Sequence, residues 1–234
     1  MLIAALDSTA VTASAAIVNI ENGAPVTHSL FTVKNKLTHS ELLLPLLENA
    51  LSSYGADVKD IDLFAVSAGP GSFTGVRIGA ATLKGLAFTE NKPCVGVSAL
   101  AALAANVGNG FILPVMDARR DQFYTALLNN SDRVTEDAAL SIDEIRELIK
   151  SLPTVTICGD GACKLVALLS DLDNLVLAPL ACRDQNALSV AICAYEEYTR
   201  GNSVSPKELS PVYLRLPQAE RERLEREKNG NINI

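Results

Sequence analysis

The sequence of 234 residues contains no tryptophan, and aromatic side chains make up only 5% of it. Its apolar fraction of 48% is instead rich in alanine, leucine and valine. This composition favours helices packed on a sheet over an all-β sandwich. It also excludes a chain that is disordered throughout, since the apolar side chains suffice for a sizeable core.

Positive charge is also scarce. The chain has 20 lysine and arginine residues against 27 aspartate and glutamate residues, which gives a net charge of -7. A protein that holds nucleic acid by its own surface needs a clustered positive field for the phosphates. The composition therefore argues against unaided binding of nucleic acid.

Residues that bind metals or act in nucleophilic catalysis are few. The two histidines, His28 and His39, have no second histidine or cysteine at a metal-binding spacing. A Gly-x-Ser-x-Gly nucleophile turn is missing as well. No Cys-x-x-Cys pair occurs among the five cysteines, which are Cys94, Cys158, Cys163, Cys182 and Cys193. These absences disfavour a zinc peptidase and a serine hydrolase, and the sequence predicts no metal site.

Segments that direct a chain to a membrane are missing from the sequence too. Residues 1–6 have no basic start and are followed at once by Asp7, unlike a secretory signal peptide. No apolar run reaches the roughly 18–20 residues that a membrane-spanning helix needs. The cysteines fit buried thiols in a reducing compartment. We therefore expect a cytoplasmic protein without a membrane partner.

The order of predicted elements indicates two similar lobes. Three strands with polar turns open the chain, and strands and helices then alternate, which predicts parallel pairing with crossover helices. After the loop at residues 106–110 the same order begins again. The sequence therefore predicts an α/β fold with an N-terminal lobe at 1–106, a C-terminal lobe at 107–217 and a cleft between them. A charged, flexible tail is predicted at 218–234.

The glycine-rich segment at residues 69–75 is the strongest local signal, because it follows a predicted strand and opens a predicted helix. Backbone amides in such a place can hold a phosphate. Glycines there can equally let the helix pack close to the sheet. The segment matches neither a P-loop nor a dinucleotide fingerprint, so both alternatives stay open.

Two polar turns follow predicted strands. In the first, Asp7 could hold a hydrated magnesium ion with Ser8 and Thr9 near a phosphate, and a capped hairpin turn is the alternative. In the second, Asp117 and Arg119 could face the same ligand or form a surface ion pair. The candidate residues close to a nucleotide or phosphate are Asp7, Ser8, Thr9, Gly69, Gly71, Ser72 and Asp117.

The predicted helix at residues 40–54 carries more leucine than a single buried stripe requires. The helix predicted after the glycine segment carries small residues, among them Gly75, Gly79, Ala80 and Ala81. Either both helices are buried in the chain's own core, or they meet the same pair of another subunit as a helical bundle. The second hypothesis gives an interface of His39, Leu42, Leu43, Leu46, Leu47, Ala50, Arg77, Ile78 and Ala81. For His39, a helix cap is the alternative.

Several motifs resemble those of the TsaB (YeaZ) family. They are HSELLLP at residues 39–45, GPGSFTGVRIG at 69–79, GVS at 96–98, DAR at 117–119 and PVYLR at 211–215. The long run GPGSFTGVR is highly specific. The resemblance extends from about residue 2 to residue 215.

This resemblance implies an actin-like, two-lobed ATPase fold, shared with sugar kinases and heat-shock chaperones. It also implies a part in making the threonylcarbamoyl group on adenosine 37 of tRNAs that read codons starting with A. TsaB-like proteins pair with the similar catalytic subunit TsaD, an ATPase called TsaE joins them, and TsaC makes threonylcarbamoyl-adenylate. They are regarded as non-catalytic, despite an older glycoprotease-like label.

Two departures from the catalytic relative bear on the chemistry. TsaD places two metal-binding histidines on the helix after its Gly-Val strand, whereas the matching positions here are Ala99 and Leu103. The turn after Asp7 also lacks the glycine that would let a phosphate approach closely.

We therefore expect a non-enzymatic scaffold that forms a homodimer alone and a heterodimer with TsaD. TsaE is a further expected partner, and tRNA is expected to bind only through the complex. No resident cofactor is expected, and ATP or ADP at a subunit boundary stays open. The alternative function is an actin-fold ATPase or small-molecule kinase.

Overall fold

The computed structural model describes residues 1–215 apart from residues 36, 120 and 131. The tail predicted at 218–234 lies outside the described residues, as do the last two residues of the predicted C-terminal lobe.

The first sheet lies in the N-terminal half of the chain, and all of its strands except the exposed edge strand β3 are buried on both faces. Its strands are β1 (Leu2–Asp7), β2 (Thr12–Glu21), β3 (Ala24–Lys34), β4 (Leu63–Gly69) and β5 (Cys94–Ser98), in the order β3-β2-β1-β4-β5. β1 to β3 are antiparallel, while β4 and β5 run parallel to β1. Alternate residues of β1 enter two different cores, with Leu6 in one and Ile3 in the other. This burial on both sides explains the nearly continuous apolar runs.

The second sheet repeats this arrangement. Its strands are β6 (Phe111–Asp117), β7 (Gln122–Thr125), β8 (Leu128–Asn129), β9 (Asp132–Arg133), β10 (Ala138–Ser141), β11 (Val155–Cys158) and β12 (Leu175–Leu177). The main order is β10-β7-β6-β11-β12, with β8 beside β6 and β9 beside β8. β6, β7 and β10 are antiparallel, and β11 and β12 run parallel to β6. The strand order and directions match those of the first sheet, so the predicted α/β class and the internal repeat are confirmed.

Helices cover both sheets. They are α1 (His39–Tyr54), α2 (Phe73–Glu90), α3 (Ala99–Ala105), α4 (Ile142–Ile149), α5 (Ala162–Leu168), α6 (Leu180–Arg183) and α7 (Ala187–Thr199), with a 3₁₀ turn at Val58–Asp60. α1 begins one residue before the predicted start, because Thr38 and Glu41 form a capping box. Ser72 caps α2 by accepting a hydrogen bond from the Gly75 amide.

The helix α7 follows the second sheet in the chain but packs on the first sheet. The predicted division of the chain assigns it to the C-terminal lobe, yet Val190, Ala191 and Ala194 pack against the first sheet. Its first amide, at Ala187, donates to the Ser14 hydroxyl of β2 at 3.0 Å. The chain therefore returns to the first sheet after completing the second, and the boundary at residue 106 remains a prediction.

The prediction is wrong in detail between residues 122 and 141. A single strand at 122–128 is predicted, but β7 ends at Thr125, and the chain pairs with β6 again only at β8. The amides of Val134 and Thr135 both donate to the Leu127 carbonyl oxygen, at 2.9 and 3.2 Å, which turns the chain away. The strands β9, β10 and β12 and the helix α6 are not predicted from the sequence.

Candidate functional site

A cleft of about 570 Å³ lies between the two halves. Thr9 and Gly71 contribute to its wall from the ends of β1 and β4, and Asp117 and Asp160 contribute from the ends of β6 and β11. The cleft thus follows the carboxyl ends of matching strands, where α/β proteins place ligands. Its lining residues are Thr9, Ala10, Val11, Gly71, Ser72, Phe73, Thr74, Met116, Asp117, Ala118, Arg119, Tyr124, Asp160 and Arg215.

Backbone atoms of the chain occupy the space beside the glycines of this segment. A Cβ atom on Gly71 would lie 2.4 Å from the carbonyl oxygen of Thr9. One on Gly75 would lie 1.9 Å from the carbonyl oxygen of Ser8. Both glycines allow two stretches of backbone to come together. Close packing, one of the two alternatives for this segment, therefore accounts for these glycines without a ligand.

Gly69 is covered from the other side of the turn. A Cβ atom there would lie 2.4 Å from the carbonyl oxygen of Val212. Gly69 is not among the described residues that line the cleft, so its predicted contact with a phosphate is wrong. Gly71 and Ser72 do line the cleft. For those two residues, proximity to a phosphate stays a prediction.

Asp7 and Ser8 lie behind the turn and are buried. Thr9 donates two hydrogen bonds to Asp7 Oδ1, from its amide at 2.9 Å and from its hydroxyl at 2.8 Å. The Ser67 hydroxyl donates to Asp7 Oδ2 at 2.5 Å. Burial raises the pKa of Asp7, while the hydrogen bonds from Ser67 and Thr9 act in the opposite direction. Because Asp7 and Ser8 are buried and neither lines the cleft, their predicted magnesium and phosphate contacts are wrong, and the capped-turn alternative describes them.

Asp117, the matching residue of the second half, is exposed on the cleft wall. Its Oδ2 lies 3.1 Å from Lys164 Nζ, and its Oδ1 accepts a hydrogen bond from the Arg119 amide at 2.8 Å. The alternative of an ion pair between Asp117 and Arg119 is therefore wrong, because Lys164 of α5 is the partner. Asp117 is the one predicted acidic residue that the fold brings to the cleft.

The turn after β11 is built like the glycine turn after β4. A Cβ atom on Gly159 would lie 2.2 Å from the Val115 carbonyl oxygen, and one on Gly161 would lie 3.2 Å from the Asp117 amide nitrogen. Asp160 lies between these glycines. Each half therefore brings a glycine turn against the end of its own first strand.

Asp160 is a cleft residue that the sequence analysis missed. Its Oδ1 is buried and has no hydrogen-bond partner among the described residues. Burial raises the pKa of Asp160 to about 6, and the charges of Asp117 and Asp184 act in the same direction. The available signal was its position in Gly159-Asp160-Gly161, directly after a predicted strand.

The helices α1 and α2 contradict part of the predicted interface. Leu43, Leu46, Leu47 and Ala50 are buried in the first core, where they pack against the strands of the first sheet. They are the inward stripe of α1 and do not form a surface for another subunit. Burial within the chain's own core, the second alternative, is therefore correct for these four residues.

The small residues of α2 also divide between two faces. Gly75 and Gly79 are buried, and a Cβ atom on Gly79 would lie 2.6 Å from the Ser8 hydroxyl. Ala81 and Gly85 are exposed, and a Cβ atom on Gly85 meets nothing within 4 Å. The exposed residues recur at helical spacing from Arg77 and define the outer face of α2.

Helix α1 packs beside α2. Leu44 is 44% exposed on α1, and Phe88 is 61% exposed near the end of α2. Leu42 and Ile78 are half-buried at the edge of the same core. We call Leu44, Arg77, Ala81, Gly85 and Phe88 the helix-pair face.

His39 belongs to the start of α1 and not to this face. Its Nε2 donates to the Ala10 carbonyl oxygen at 2.6 Å, and its Nδ1 is buried without a hydrogen-bond partner among the described residues. The ring thus fixes the turn after β1 to α1. It is half-buried, so its predicted contact with another subunit stays a prediction.

The positions that correspond to the metal-binding histidines of TsaD are core positions here. Ala99 and Leu103 are both buried in the cluster where α3 packs on the second sheet. Within the described part of the chain, His, Cys, Asp and Glu side chains form no group of three or more that could hold a metal ion. No described helix combines the length and apolar character that crossing a membrane requires.

A nucleotide, which the fold family implies, fits the two sides of the cleft unequally. On the first side, protein atoms fill the space at Gly69, Gly71 and Gly75, and Asp7 is fully buried and accepts three hydrogen bonds from Thr9 and Ser67. On the second side, Asp160 has an acceptor without a partner, but it is a carboxylate and would repel a phosphate. Apart from Gly71 and Ser72, whose proximity to a phosphate stays a prediction, the residues present therefore do not fit a nucleoside triphosphate.

Comparison with known proteins gives a consistent family assignment. A family model described as TsaD, tRNA N6-adenosine threonylcarbamoyltransferase, matches residues 34–162, more than half of the chain. The tRNA threonylcarbamoyladenosine biosynthesis protein TsaB of Escherichia coli is 31% identical over 192 residues, covering 76% of this chain and 80% of that protein. The TsaB protein of Bacillus subtilis is 36% identical over 121 residues, covering 49% of this chain and 53% of that protein.

Solved structures agree with these sequence matches. The structure of YeaZ from Pseudomonas aeruginosa is 25% identical, covers 91% of this chain and 99% of its own, and superposes with a TM-score of 0.73. Together with the repeated strand order, this similarity confirms the predicted actin-like fold. The TsaD family model matches the chain as well, and the chain belongs to the TsaB family.

Proposed function

We propose that this chain is a non-catalytic subunit in the biosynthesis of threonylcarbamoyladenosine in tRNA. In this role it pairs with the catalytic relative TsaD for transfer of the threonylcarbamoyl group to adenosine 37 of tRNAs that read codons starting with A. The names of the relatives from Escherichia coli and Bacillus subtilis support the biosynthetic process. The pairing and the absence of catalysis rest on the following features of this chain.

One observation carries the non-catalytic role. Ala99 and Leu103, at the positions matching the TsaD histidines, are buried in an apolar cluster between α3 and the second sheet. Methyl and isobutyl groups cannot ligate a metal ion. Two histidines in their place would also bury imidazole groups among apolar side chains, so restoring the ligands would disturb the packing.

The helix-pair face supports the pairing. Leu44 and Phe88 expose apolar side chains, while Ala81 and Gly85 leave room for a second helix to approach. A relative with the same fold has the same pair of helices, so two such faces can meet around an approximate twofold axis. The same face would serve a homodimer when TsaD is absent, because an isologous contact uses one patch twice.

Further partners follow from charge and composition. The net charge of -7 supports a complex in which tRNA is held mainly by TsaD, with TsaE joining as the ATPase. ATP or ADP would bind at a subunit boundary and not in this chain's own cleft, because backbone atoms occupy the space beside the glycines on the first side of that cleft.

An actin-fold ATPase or small-molecule kinase is the alternative, favoured only by the presence of the cleft. Such an enzyme would need Asp7 and the glycine segment near the phosphates. Their side chains and backbone are instead engaged with Thr9, Ser67 and Ser8. Nucleotide turnover by the purified chain would favour this alternative.

Size-exclusion chromatography with light scattering tests the proposal directly. The chain is measured alone, then mixed with a TsaD protein, and threonylcarbamoyl transfer to tRNA is assayed for each sample. We expect a dimer alone, a one-to-one complex in the mixture, and transfer only in the mixture. A persistent monomer that ignores TsaD would overturn the pairing, and transfer by the chain alone would overturn the non-catalytic role.

A further inference from the structure

Residues 211–215, which we call the strap, cross the boundary between the two halves beside the cleft. On the side of the first sheet, the Val212 amide donates to the Ala68 carbonyl oxygen at 2.7 Å. Gly69 leaves the space that the Val212 carbonyl oxygen occupies. The strap is therefore seated on the end of β4 by its backbone.

Tyr213 fastens the strap to α2 through its ring and its hydroxyl. Its ring stacks on Phe73 with centroids 4.9 Å apart and an angle of 23° between the planes. Arg77 Nε donates to the Tyr213 hydroxyl at 2.8 Å, and the guanidinium lies 5.6 Å from the centre of the ring. Stacking, a hydrogen bond and a cation–π contact thus converge on one side chain.

The next two residues reach the second half. Arg215 Nη1 donates to the Ala118 carbonyl oxygen at 2.9 Å, on the turn that follows β6. Leu214 packs against the apolar cluster that includes Met116 and Tyr124. Five successive residues therefore hold the end of β4 and the start of α2 on one side and the β6–β7 turn on the other. Arg215 and Phe73 also line the cleft, so the strap spans its edge.

We propose that the strap is a latch between the two halves, and that releasing Tyr213 and Arg215 lets the cleft open. The structure offers two independent attachments, one to each half, and neither is a contact within a single sheet. A segment attached in this way lowers the free energy of the closed arrangement only while both ends are held. The inference concerns this chain alone and does not depend on its pairing with TsaD.

Cys158 is a native probe of the boundary between the halves. Its Sγ lies 3.6 Å from the Leu103 carbonyl oxygen, and both residues are buried where α3 packs on the second sheet. Cys94 is equally buried but lies in the core of the first sheet. Opening of the halves should expose Cys158 and leave Cys94 covered, whereas global unfolding exposes both.

The experiment compares the full chain with the double variant Tyr213→Ala/Arg215→Ala. Alkylation by iodoacetamide is followed at each cysteine by peptide mass spectrometry under native conditions. Loss of the stacked ring and of two hydrogen bonds should accelerate alkylation of Cys158 about tenfold, with Cys94 unchanged. Arg200→Ala is the control, since Arg200 is exposed and pairs with Glu197 of its own helix.

Two single variants separate the attachments. Tyr213→Phe keeps the stacking on Phe73 but loses the hydrogen bond from Arg77, so we expect a smaller acceleration at Cys158. Arg215→Ala releases only the second half and should likewise give a smaller acceleration than the double variant. An unchanged rate at Cys158 in the double variant would overturn the latch. Equal acceleration at Cys94 and Cys158 would overturn it as well, because the strap would then contribute only to overall stability.

Discussion

Ser8 and Gly75 join the turn after β1 to helix α2 by two contacts. The Ser8 hydroxyl donates to the Gly75 carbonyl oxygen at 2.9 Å. A Cβ atom on Gly75 would lie 1.9 Å from the Ser8 carbonyl oxygen. Because the obstructing atom belongs to the backbone, no side-chain rotation can make room for a methyl group. The strongest motif of the sequence is thus, at this position, a requirement of packing.

Gly75→Ala should lower the free energy of unfolding by at least about 3 kcal/mol, since the turn at Ser8 must move. Gly85→Ala is the matched control on the same helix, because a Cβ atom there meets nothing within 4 Å. We expect that control to raise stability by about 0.5–1 kcal/mol. Urea unfolding followed by circular dichroism measures both changes. Equal effects of the two substitutions would contradict the packing explanation.

Asp7 and Asp117 occupy matching ends of β1 and β6 but differ in burial. Asp7→Ala leaves the Thr9 and Ser67 donors unpaired in the core, and we expect a loss of about 2–4 kcal/mol in stability. Asp117→Ala removes a surface ion pair with Lys164 and should cost less than about 1 kcal/mol. Thermal unfolding of both variants checks the contrast. If the chain were an ATPase, Asp7→Ala would instead lose nucleotide binding, and its stability would be nearly unchanged.

The sequence predicts the fold well because both halves bury long apolar strands. Residues 2–6 and 61–67 have few polar interruptions, and the turns between elements contain glycine or acidic residues. These patterns depend on local spacing, which periodicity detects. The sequence does not predict the short strand β12 and the helix α6, since elements of three and four residues are too short to set a hydrophobic period.

The site is harder to predict because glycine serves two purposes with the same sequence pattern. Nothing local distinguishes a Gly75 that admits a phosphate from one that admits the Ser8 carbonyl oxygen. The leucines of α1 present a similar ambiguity. Leu43 and Leu44 are neighbours in sequence, yet one is buried and the other is 44% exposed. Only the placement of the helix on the sheet decides which of them remains free for a partner.

Asp160 should make stability depend on pH in the acidic range. Its folded-state pKa is about 6 against an ordinary value of 3.8, so between these values the folded chain holds a proton that the unfolded chain has released. Stability therefore falls as the pH rises through this window, and the penalty is complete above about pH 6. Asp160→Asn should remove it, with a gain on the order of 2–3 kcal/mol near neutral pH and little change below about pH 4.

Chemical denaturation of the wild type and Asp160→Asn at a series of pH values measures this difference. The Asp160→Asn variant should have the flatter dependence between about pH 4 and 6. Parallel curves for the two proteins would mean that Asp160 does not titrate in this range.

Leu44 and Leu168 are a matched pair for testing the helix-pair face. They are 44% and 45% exposed, on α1 of the first half and α5 of the second half respectively. Leu44→Glu should weaken both the homodimer and the complex with TsaD by about 100-fold or more, since a charge would be buried between two helices. Ala81→Glu should act in the same way by filling the space on α2, whereas Leu168→Glu should change neither association.

Sedimentation equilibrium measures these dissociation constants, and circular dichroism checks that each variant is folded. Because Leu44 and Ala81 are exposed in the monomer, their substitution does not disturb the core in the way that Leu43→Glu or Leu47→Glu would. A folded Leu44→Glu variant that pairs as tightly as the wild type would remove α1 from the interface. If only Leu168→Glu weakened the pairing, the interface would lie on the second half of the molecule and not on the helices that contain the family motifs.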